Sequence, residues 1–177
     1  MIILICGLPG TGKTFLAHEL SKHIDSTVLS TDKIRKELIP KPTYAPWERS
    51  LIYDVLFLLV KYLHNSGINC ILDGTFNMEK SRSEVKNFLN LTKEEFYIIE
   101  CICPEDIIIS RLLLRKGDYS DATVSIYLKM KRIYEKIREN HISINTAKPI
   151  DVNINKILEY VYGSKNDKVI KDNRTNK

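Results

Sequence analysis

Short apolar runs alternate with longer segments of helical periodicity along most of the chain. The first run, Ile2–Cys6, is apolar at every position, as expected of a strand that is buried on both faces. Further strands are predicted over Thr27–Thr31, Asn69–Asp73, Phe96–Cys103 and Pro149–Val152. The alternation predicts an α/β fold, in which helices cover both faces of a parallel sheet.

The segments between these strands carry apolar residues at helical spacing, as Leu16, Leu20 and Ile24 do. Ser120 or Asp121 is predicted to cap a long helix. The predicted helices begin at Lys13 and then cover Asp32–Leu38, Glu48–His64, Glu79–Leu91, Pro104–Arg115, the segment from the cap to His141, and Ile154–Tyr162. Strands and helices thus follow one another in the order that a parallel sheet requires.

The composition is that of a globular protein. Of the 177 residues, 44% are hydrophobic and 28% are charged, which excludes disordered and collagen-like chains. A chain of this length buries about 70% of the surface that its unfolded form exposes, so neither disulfides nor a structural metal are needed. No apolar run approaches the roughly 20 residues of a membrane-spanning helix. The N-terminus lacks the basic region and cleavage site of a signal peptide, and we expect a cytoplasmic protein.

The net charge of +5 is unevenly distributed. We expect one domain over residues 1–162, close to neutral, and a basic, flexible C-terminal tail over residues 163–177. The basic residues of the tail are Lys165, Lys168, Lys171, Arg174 and Lys177. Either the tail binds a polyanion weakly or it is a solvated chain end.

A glycine-rich loop connects the first predicted strand to the first predicted helix. Its residues fit the G-x-x-x-x-G-K-[ST] pattern without a mismatch, and they are Gly7, Leu8, Pro9, Gly10, Thr11, Gly12, Lys13 and Thr14. Glycines let such a loop fold tightly enough for backbone amides to converge on phosphate oxygens, and the following helix adds its positive dipole end. We therefore predict a nucleotide site in which Lys13 bridges the β- and γ-phosphates and the Thr14 hydroxyl binds Mg²⁺.

Candidate acceptor-side residues follow the second predicted strand, at the edge where open parallel sheets bind their ligands. Asp32 and Arg35 are three positions apart on a predicted helix and share one face. In one interpretation, Asp32 takes a proton from an acceptor hydroxyl and Arg35 holds an anionic part of the acceptor. In the other, Asp32 is a helix N-cap and Arg35 an exposed surface residue. Tyr44 and Trp47, in the following Pro-rich segment, either stack on a planar substrate or pack the loop against the body.

Asp73 ends the third predicted strand and precedes Gly74. In a phosphate-loop protein, an acid at a neighbouring strand end commonly reaches the Mg²⁺ shell. An Asp–Gly pair is equally typical of a plain turn. Both interpretations of Asp73 are open at this point.

Two arginines, Arg111 and Arg115, lie one helical turn apart, just before a polar break over Lys116–Asp121 that is suited to a lid. Arginines in such a place close over a nucleotide and neutralise the charge that develops during phosphoryl transfer. As surface arginines of an amphipathic helix they need no functional explanation. The sequence pattern alone favours neither interpretation.

Together these residues resemble the small phosphate-loop kinases, a group that includes the kinase domain of polynucleotide 5′-hydroxyl kinases. The matching elements are, in order, the glycine-rich loop, Ser30-Thr31-Asp32-Lys33-Ile34-Arg35, Leu72-Asp73-Gly74-Thr75-Phe76 with Arg82, and Arg111, Arg115 and Ser120-Asp121-Ala122. The resemblance covers most of residues 1–162. It implies a three-layer P-loop NTPase fold with a five-stranded parallel sheet of order 2-3-1-4-5 and a helical lid.

The resemblance also implies roles for individual residues. Lys13 and Thr14 become the phosphate and Mg²⁺ residues, and Asp32 becomes the base that activates the acceptor. Arg35 becomes a contact to an acceptor phosphate, and Arg115 the lid arginine on the transferring phosphoryl group. The nearly neutral body is unlike a polynucleotide-binding surface, and members of this broad group also phosphorylate small hydroxyl compounds or activated sugars.

We therefore expect an ATP- and Mg²⁺-dependent kinase that transfers the γ-phosphoryl group to a hydroxyl of a nucleic-acid 5′ end or a small metabolite. A second hypothesis is a nucleotide-dependent switch or hydrolase with a protein partner, in which water is the acceptor and Asp32 and Arg35 are structural. A third is a nucleic-acid-binding module that uses the basic tail, whose binding would weaken steeply with added salt.

Overall fold

The structure is a computed structural model. It describes residues 1–92, 95–115 and 120–175, with side chains up to residue 163. A five-stranded parallel sheet forms the centre of this part of the chain. The strands are β1 (Ile2–Cys6), β2 (Ser26–Ser30), β3 (Asn69–Asp73), β4 (Phe96–Ile102) and β5 (His141–Asn145). Their order is β2-β3-β1-β4-β5, and every neighbouring pair is parallel. The predicted α/β class and sheet order are confirmed.

Helices cover both faces of the sheet. They are α1 (Lys13–Ser21), α2 (Thr31–Leu38), α3 (Pro46–Asn65), α4 (Glu79–Phe88), α5 (Glu105–Leu114), α6 (Val124–Ile133) and α7 (Ile150–Thr175). On β1, Ile2, Leu4 and Cys6 face the core beneath α3 and α4, whereas Ile3 and Ile5 face α1 and α7. Burial on both faces explains why β1 is apolar throughout, and it fixes the following loop at the middle of the sheet.

The fifth strand was predicted in the wrong place. The prediction put it over Pro149–Val152, but β5 covers His141–Asn145 and pairs with β4. Pro149–Val152 instead lies at the start of α7, where a proline is well tolerated because the first helical turn needs no amide donors. Most positions of β5 are only half-buried, so this edge strand lacks the apolar run that identifies the other strands.

The predicted helix up to His141 is too long, because α6 ends at Ile133. Residues 134–140 leave the helix and pack against the segment after β3. The Glu135 amide donates to the Asn77 carbonyl over 2.9 Å, and Ile137 is buried in the core on the α3 side. Tertiary contacts here outweigh the local helical periodicity.

The C-terminal helix α7 continues to Thr175, through most of the segment predicted to be a separate tail. The side chains from residue 164 onward and residues 176–177 lie outside the described part, as do residues 116–119 of the predicted lid. The flexible tail, its role and the lid therefore stay predictions. No helix within the described residues combines the length and apolar character of a membrane span.

The cap of α6 is Thr123, not Ser120 or Asp121 as the sequence predicted: its Oγ1 accepts a hydrogen bond from the Ile126 amide over 3.3 Å. We expect Thr123→Ala to lower the free energy of unfolding by about 1 kcal/mol, because this amide loses its acceptor. Chemical denaturation measures the change. Ser120→Ala is the control and should stay within about 0.5 kcal/mol of wild type; equal losses in the two variants would contradict the assignment.

Candidate active site

The loop between β1 and α1 depends on glycine for its course. Gly7, Gly10 and Gly12 have φ of 141°, 81° and 84°, values that disfavour residues with a side chain. A Cβ on Gly7 would lie 2.5 Å from the Cys101 carbonyl oxygen of β4, and one on Gly10 would lie 2.9 Å from Ile108 of α5. The loop therefore has the tight, glycine-dependent conformation that suits a bound phosphate chain.

Gly7→Ala is expected to weaken ATP binding at least tenfold, which makes the binding free energy less favourable by about 1.4 kcal/mol or more. The backbone carbonyl of Cys101 cannot move away from a methyl group, so the loop itself must shift. Calorimetric titration with ATP measures the affinity. Gly67→Ala is the matched control, because Gly67 also has a positive φ, 79°, but a Cβ there meets nothing within 4 Å. Unchanged affinity in Gly7→Ala would show that the loop does not bind the nucleotide.

Lys13 lies at the start of α1 and turns back over the loop. Its Nζ donates to the Leu8 carbonyl over 3.0 Å, and the Thr11 hydroxyl donates to the same carbonyl over 2.7 Å. The ammonium group thus lies beside the loop and the N-terminal end of a helix, where the helix dipole also favours an anion. An anion in this loop would meet both the positive charge and the unpaired helix amides.

Thr14 and Asp73 contact each other although they are far apart in the sequence. The Thr14 hydroxyl donates to Asp73 Oδ2 over 2.7 Å. Asp73 ends β3 and is 2% exposed; burial raises the pKa of its carboxyl, while the charge of Lys13 and the bond from Thr14 act in the opposite direction. A hydroxyl and a carboxylate side by side are the hard oxygen ligands that Mg²⁺ prefers, so these residues fit the metal.

Asp73 also connects the loop to the neighbouring strand end. Ser30 is its register partner on β2, and the Thr31 hydroxyl donates to the Asp73 carbonyl over 3.4 Å. The charges of Lys13 and Asp32 both act on the Asp73 carboxyl, the first lowering its pKa and the second raising it. Lys13, Thr14, Asp73 and Asp32 are therefore gathered at one edge of the sheet.

Asp32 and Arg35 form an ion pair on the first turns of α2. Because β2 ends at Ser30, one residue earlier than predicted, Ser30 occupies the cap position and Asp32 lies within the helix. Arg35 Nη1 donates to Asp32 Oδ1 over 3.0 Å, and the side chains are 11% and 38% exposed respectively. The interpretation of Asp32 as an N-cap and Arg35 as an exposed arginine is wrong. The pair instead presents a partly accessible carboxylate.

Arg111 lies beside the loop rather than on the surface of α5. Its guanidinium donates to the Thr146 hydroxyl over 3.1 Å and to the Thr146 carbonyl over 3.0 Å. The same hydroxyl donates to the Thr11 carbonyl over 2.6 Å. A Cβ on Gly12 would lie 3.3 Å from Arg111 Nη1. No sequence pattern points to Thr146, a single hydroxyl residue after an edge strand.

Arg115 directly follows α5, at its C-cap position. Residues 116–119 of the predicted lid, which come next, lie outside the described part of the chain. The predicted contact of Arg115 with the transferring phosphoryl group therefore stays a prediction.

The fold matches that of solved P-loop kinases. A sugar kinase from Janibacter sp. HTCC2649 superposes with a TM-score of 0.73 at 15% identity, covering 90% of this chain and 93% of that one. A gluconokinase from Sinorhizobium meliloti 1021 gives 0.69 at 13% identity, with 96% and 95% coverage. The APS kinase CysC from Mycobacterium tuberculosis, in complex with AMPPNP and APS, gives 0.69 at 17% identity, with 89% and 95% coverage. At identities of 13% to 17% this likeness shows the fold alone, which this chain shares with these kinases.

A family model described as AAA domain matches residues 2–137, and the chain belongs to this family. Among curated proteins, it is similar to Uncharacterized protein Rv2004c from Mycobacterium tuberculosis (strain ATCC 25618 / H37Rv). The two are 27% identical over an alignment of 137 residues that covers 71% of this chain and 28% of the relative. An Mycobacterium bovis protein, Uncharacterized protein Mb2027c, matches with the same identity and coverage. The chain thus spans less than a third of the length of these relatives.

Proposed function

We propose that the protein is an ATP-dependent kinase that transfers the γ-phosphoryl group to a hydroxyl acceptor. The observation that carries the proposal is the grouping of Lys13, Thr14, Asp73 and Asp32 at the carboxyl ends of β1, β2 and β3. The first three, Lys13, Thr14 and Asp73, suit a nucleotide and its metal. Asp32 is a carboxylate with 38% of its side chain exposed. A group transfer to a second substrate would use both the nucleotide side and this carboxylate.

The nucleotide half consists of the loop and its neighbours. In the proposed complex, the loop amides and Lys13 bind the β- and γ-phosphates, with Lys13 exchanging its bond to Leu8 for phosphate oxygens. Thr14 and Asp73 would hold Mg²⁺, whose charge neutralises that of the phosphates. Arg111, beside Gly12, adds positive charge at the same end.

The acceptor half consists of Asp32 and Arg35. Asp32 aligns the acceptor hydroxyl and accepts its proton late in the transfer, as the oxygen bonds to phosphorus and the ADP oxygen leaves. Arg35 holds this carboxylate in its orientation through the 3.0 Å ion pair. Arg115 is proposed to neutralise the transferring phosphoryl group. Most of the catalysis is then positioning and charge stabilisation.

The acceptor is proposed to be a small hydroxyl metabolite or a nucleic-acid 5′ end. The structural neighbours include a sugar kinase, a gluconokinase and an APS kinase, which favours the small metabolite. The four cysteines are free thiols. Together with the ATP requirement, this agrees with a cytoplasmic enzyme.

The test is incubation with ATP labelled in the γ-phosphate, Mg²⁺ and a panel of polyols, sugars, nucleosides and 5′-hydroxyl oligonucleotides. We expect label on at least one organic acceptor. Release of free phosphate alone, across the whole panel, would favour a switch or hydrolase. Retention of an oligonucleotide without ATP, lost on truncation after residue 162 and on adding salt, would favour a nucleic-acid-binding module.

A further inference from the structure

Tyr44 connects three segments around the Asp32–Arg35 pair. Its ring lies over the Arg35 guanidinium, which is 5.0 Å from the ring centroid. Its hydroxyl donates to Asp121 Oδ2, and the other oxygen of Asp121 accepts from Lys36 Nζ over 2.7 Å. The loop before α3, helix α2 and the segment before α6 therefore meet at one tyrosine.

The backbone holds Tyr44 in an unfavourable conformation. Its φ of 59° lies in the left-handed region, where a residue with a branched or bulky side chain is rarely found. Glu48, which is 1% exposed, stabilises it: the carboxylate accepts from the amides of Thr43 and Tyr44, each over 2.8 Å, and from the Thr43 hydroxyl. Residues in such strained backbone conformations are concentrated at functional sites.

The Tyr44 ring limits the positions that the Arg35 guanidinium can take. The guanidinium has Asp32 on one side at 3.0 Å and the face of Tyr44 on another, and only 11% of its side chain is exposed. A cation against an aromatic face is attracted to it, most strongly where water is excluded. Without the ring, Arg35 gains access to water and other rotamers, and Asp32 loses a fixed partner.

We propose that Tyr44 is a positioning residue for phosphoryl transfer, which acts by holding Arg35 against Asp32. The hydroxyl bond to Asp121 keeps the ring in place by fastening the loop to the segment before α6. The proposal assumes the proposed function, since its effect is on the carboxylate that receives the acceptor proton. It assigns Tyr44 no part in nucleotide binding.

Two substitutions distinguish the contribution of the Tyr44 ring to kcat from that of its hydroxyl. Tyr44→Asn removes the ring, and asparagine tolerates a positive φ, so the loop conformation is retained. We expect kcat to fall about tenfold, as for loss of a cation–π contact of intermediate strength, with the dissociation constant for ATP unchanged. Tyr44→Phe keeps the ring and should retain at least about a third of the wild-type kcat, a loss of about 0.6 kcal/mol or less. Tyr62→Asn, at an exposed tyrosine of α3, is the control.

A double-mutant cycle tests whether Tyr44 acts through Arg35. In an Arg35→Lys background, Tyr44→Asn should cause little further loss of kcat, because the planar guanidinium that the ring holds is already absent. Equal losses in both backgrounds would overturn the proposal, as would wild-type kcat in Tyr44→Asn or equal losses in Tyr44→Asn and Tyr44→Phe. These results leave the proposed function intact. A wild-type protein that labels no acceptor overturns the proposed function, and this inference with it.

Discussion

Asp32→Asn is expected to reduce kcat for phosphoryl transfer by about 100-fold to 10,000-fold, the range associated with loss of a positioned general base. Asparagine retains the size of the side chain but cannot take the proton of the acceptor hydroxyl. The affinity for ATP should not fall, because Asp32 lies outside the glycine-rich loop. Steady-state kinetics gives kcat, and calorimetric titration gives the ATP affinity.

A matched control for this variant is Asp54→Asn, at an exposed position of α3. It removes the same charge from the protein and should leave kcat within about a factor of two, or 0.4 kcal/mol. A wild-type kcat in Asp32→Asn would remove this carboxylate from the mechanism. A loss of ATP affinity equal to the loss of activity would instead place Asp32 in the nucleotide site.

Lys13→Ala is expected to abolish ATP-dependent transfer, with kcat/KM reduced by at least about 1,000-fold. The ammonium group turns back over the loop to within 3.0 Å of the Leu8 carbonyl, so it is already in place to meet phosphate oxygens. Its removal eliminates the positive charge that stabilises the transferring group. Labelled ATP and the best acceptor from the panel measure the residual rate.

The corresponding control is Lys22→Ala. Lys22 follows α1 at its other end, forms an ion pair with Glu19 over 2.7 Å and has a side chain that is 64% exposed. This substitution should leave kcat/KM within about twofold of wild type. If Lys13→Ala and Lys22→Ala behave alike, the loop is not the nucleotide site.

The sequence predicts the centre of this molecule well because burial leaves a clear pattern there. Residues Ile2–Cys6 are apolar throughout since both faces of β1 are covered, and the loop that follows has a motif in which each glycine has a steric reason. The meeting of Thr14 and Asp73 follows from one rule, that parallel strands end at the same edge of the sheet.

Contacts between distant segments could not be predicted in the same way. The bond between Thr146 and Thr11 joins residues 135 positions apart, and the bond between Tyr44 and Asp121 joins residues 77 apart. Neither pair forms a local pattern. The end of α6 likewise depends on two tertiary contacts, the bond from the Glu135 amide to the Asn77 carbonyl and the burial of Ile137 in the core, rather than on local spacing.

Paramagnetic relaxation of backbone amides locates the metal–nucleotide complex directly. Mn²⁺ replaces Mg²⁺ together with a non-hydrolysable ATP analogue, and broadening falls steeply with distance from the ion. Ser30 and Asp73 end β2 and β3, whereas Ser26 and Asn69 begin them, roughly 13 Å away along each strand. We expect strong broadening at Gly12, Ser30 and Asp73 and much weaker broadening at Ser26 and Asn69. The reverse pattern, or broadening without any preference for one end of the strands, would contradict a nucleotide site facing Asp32.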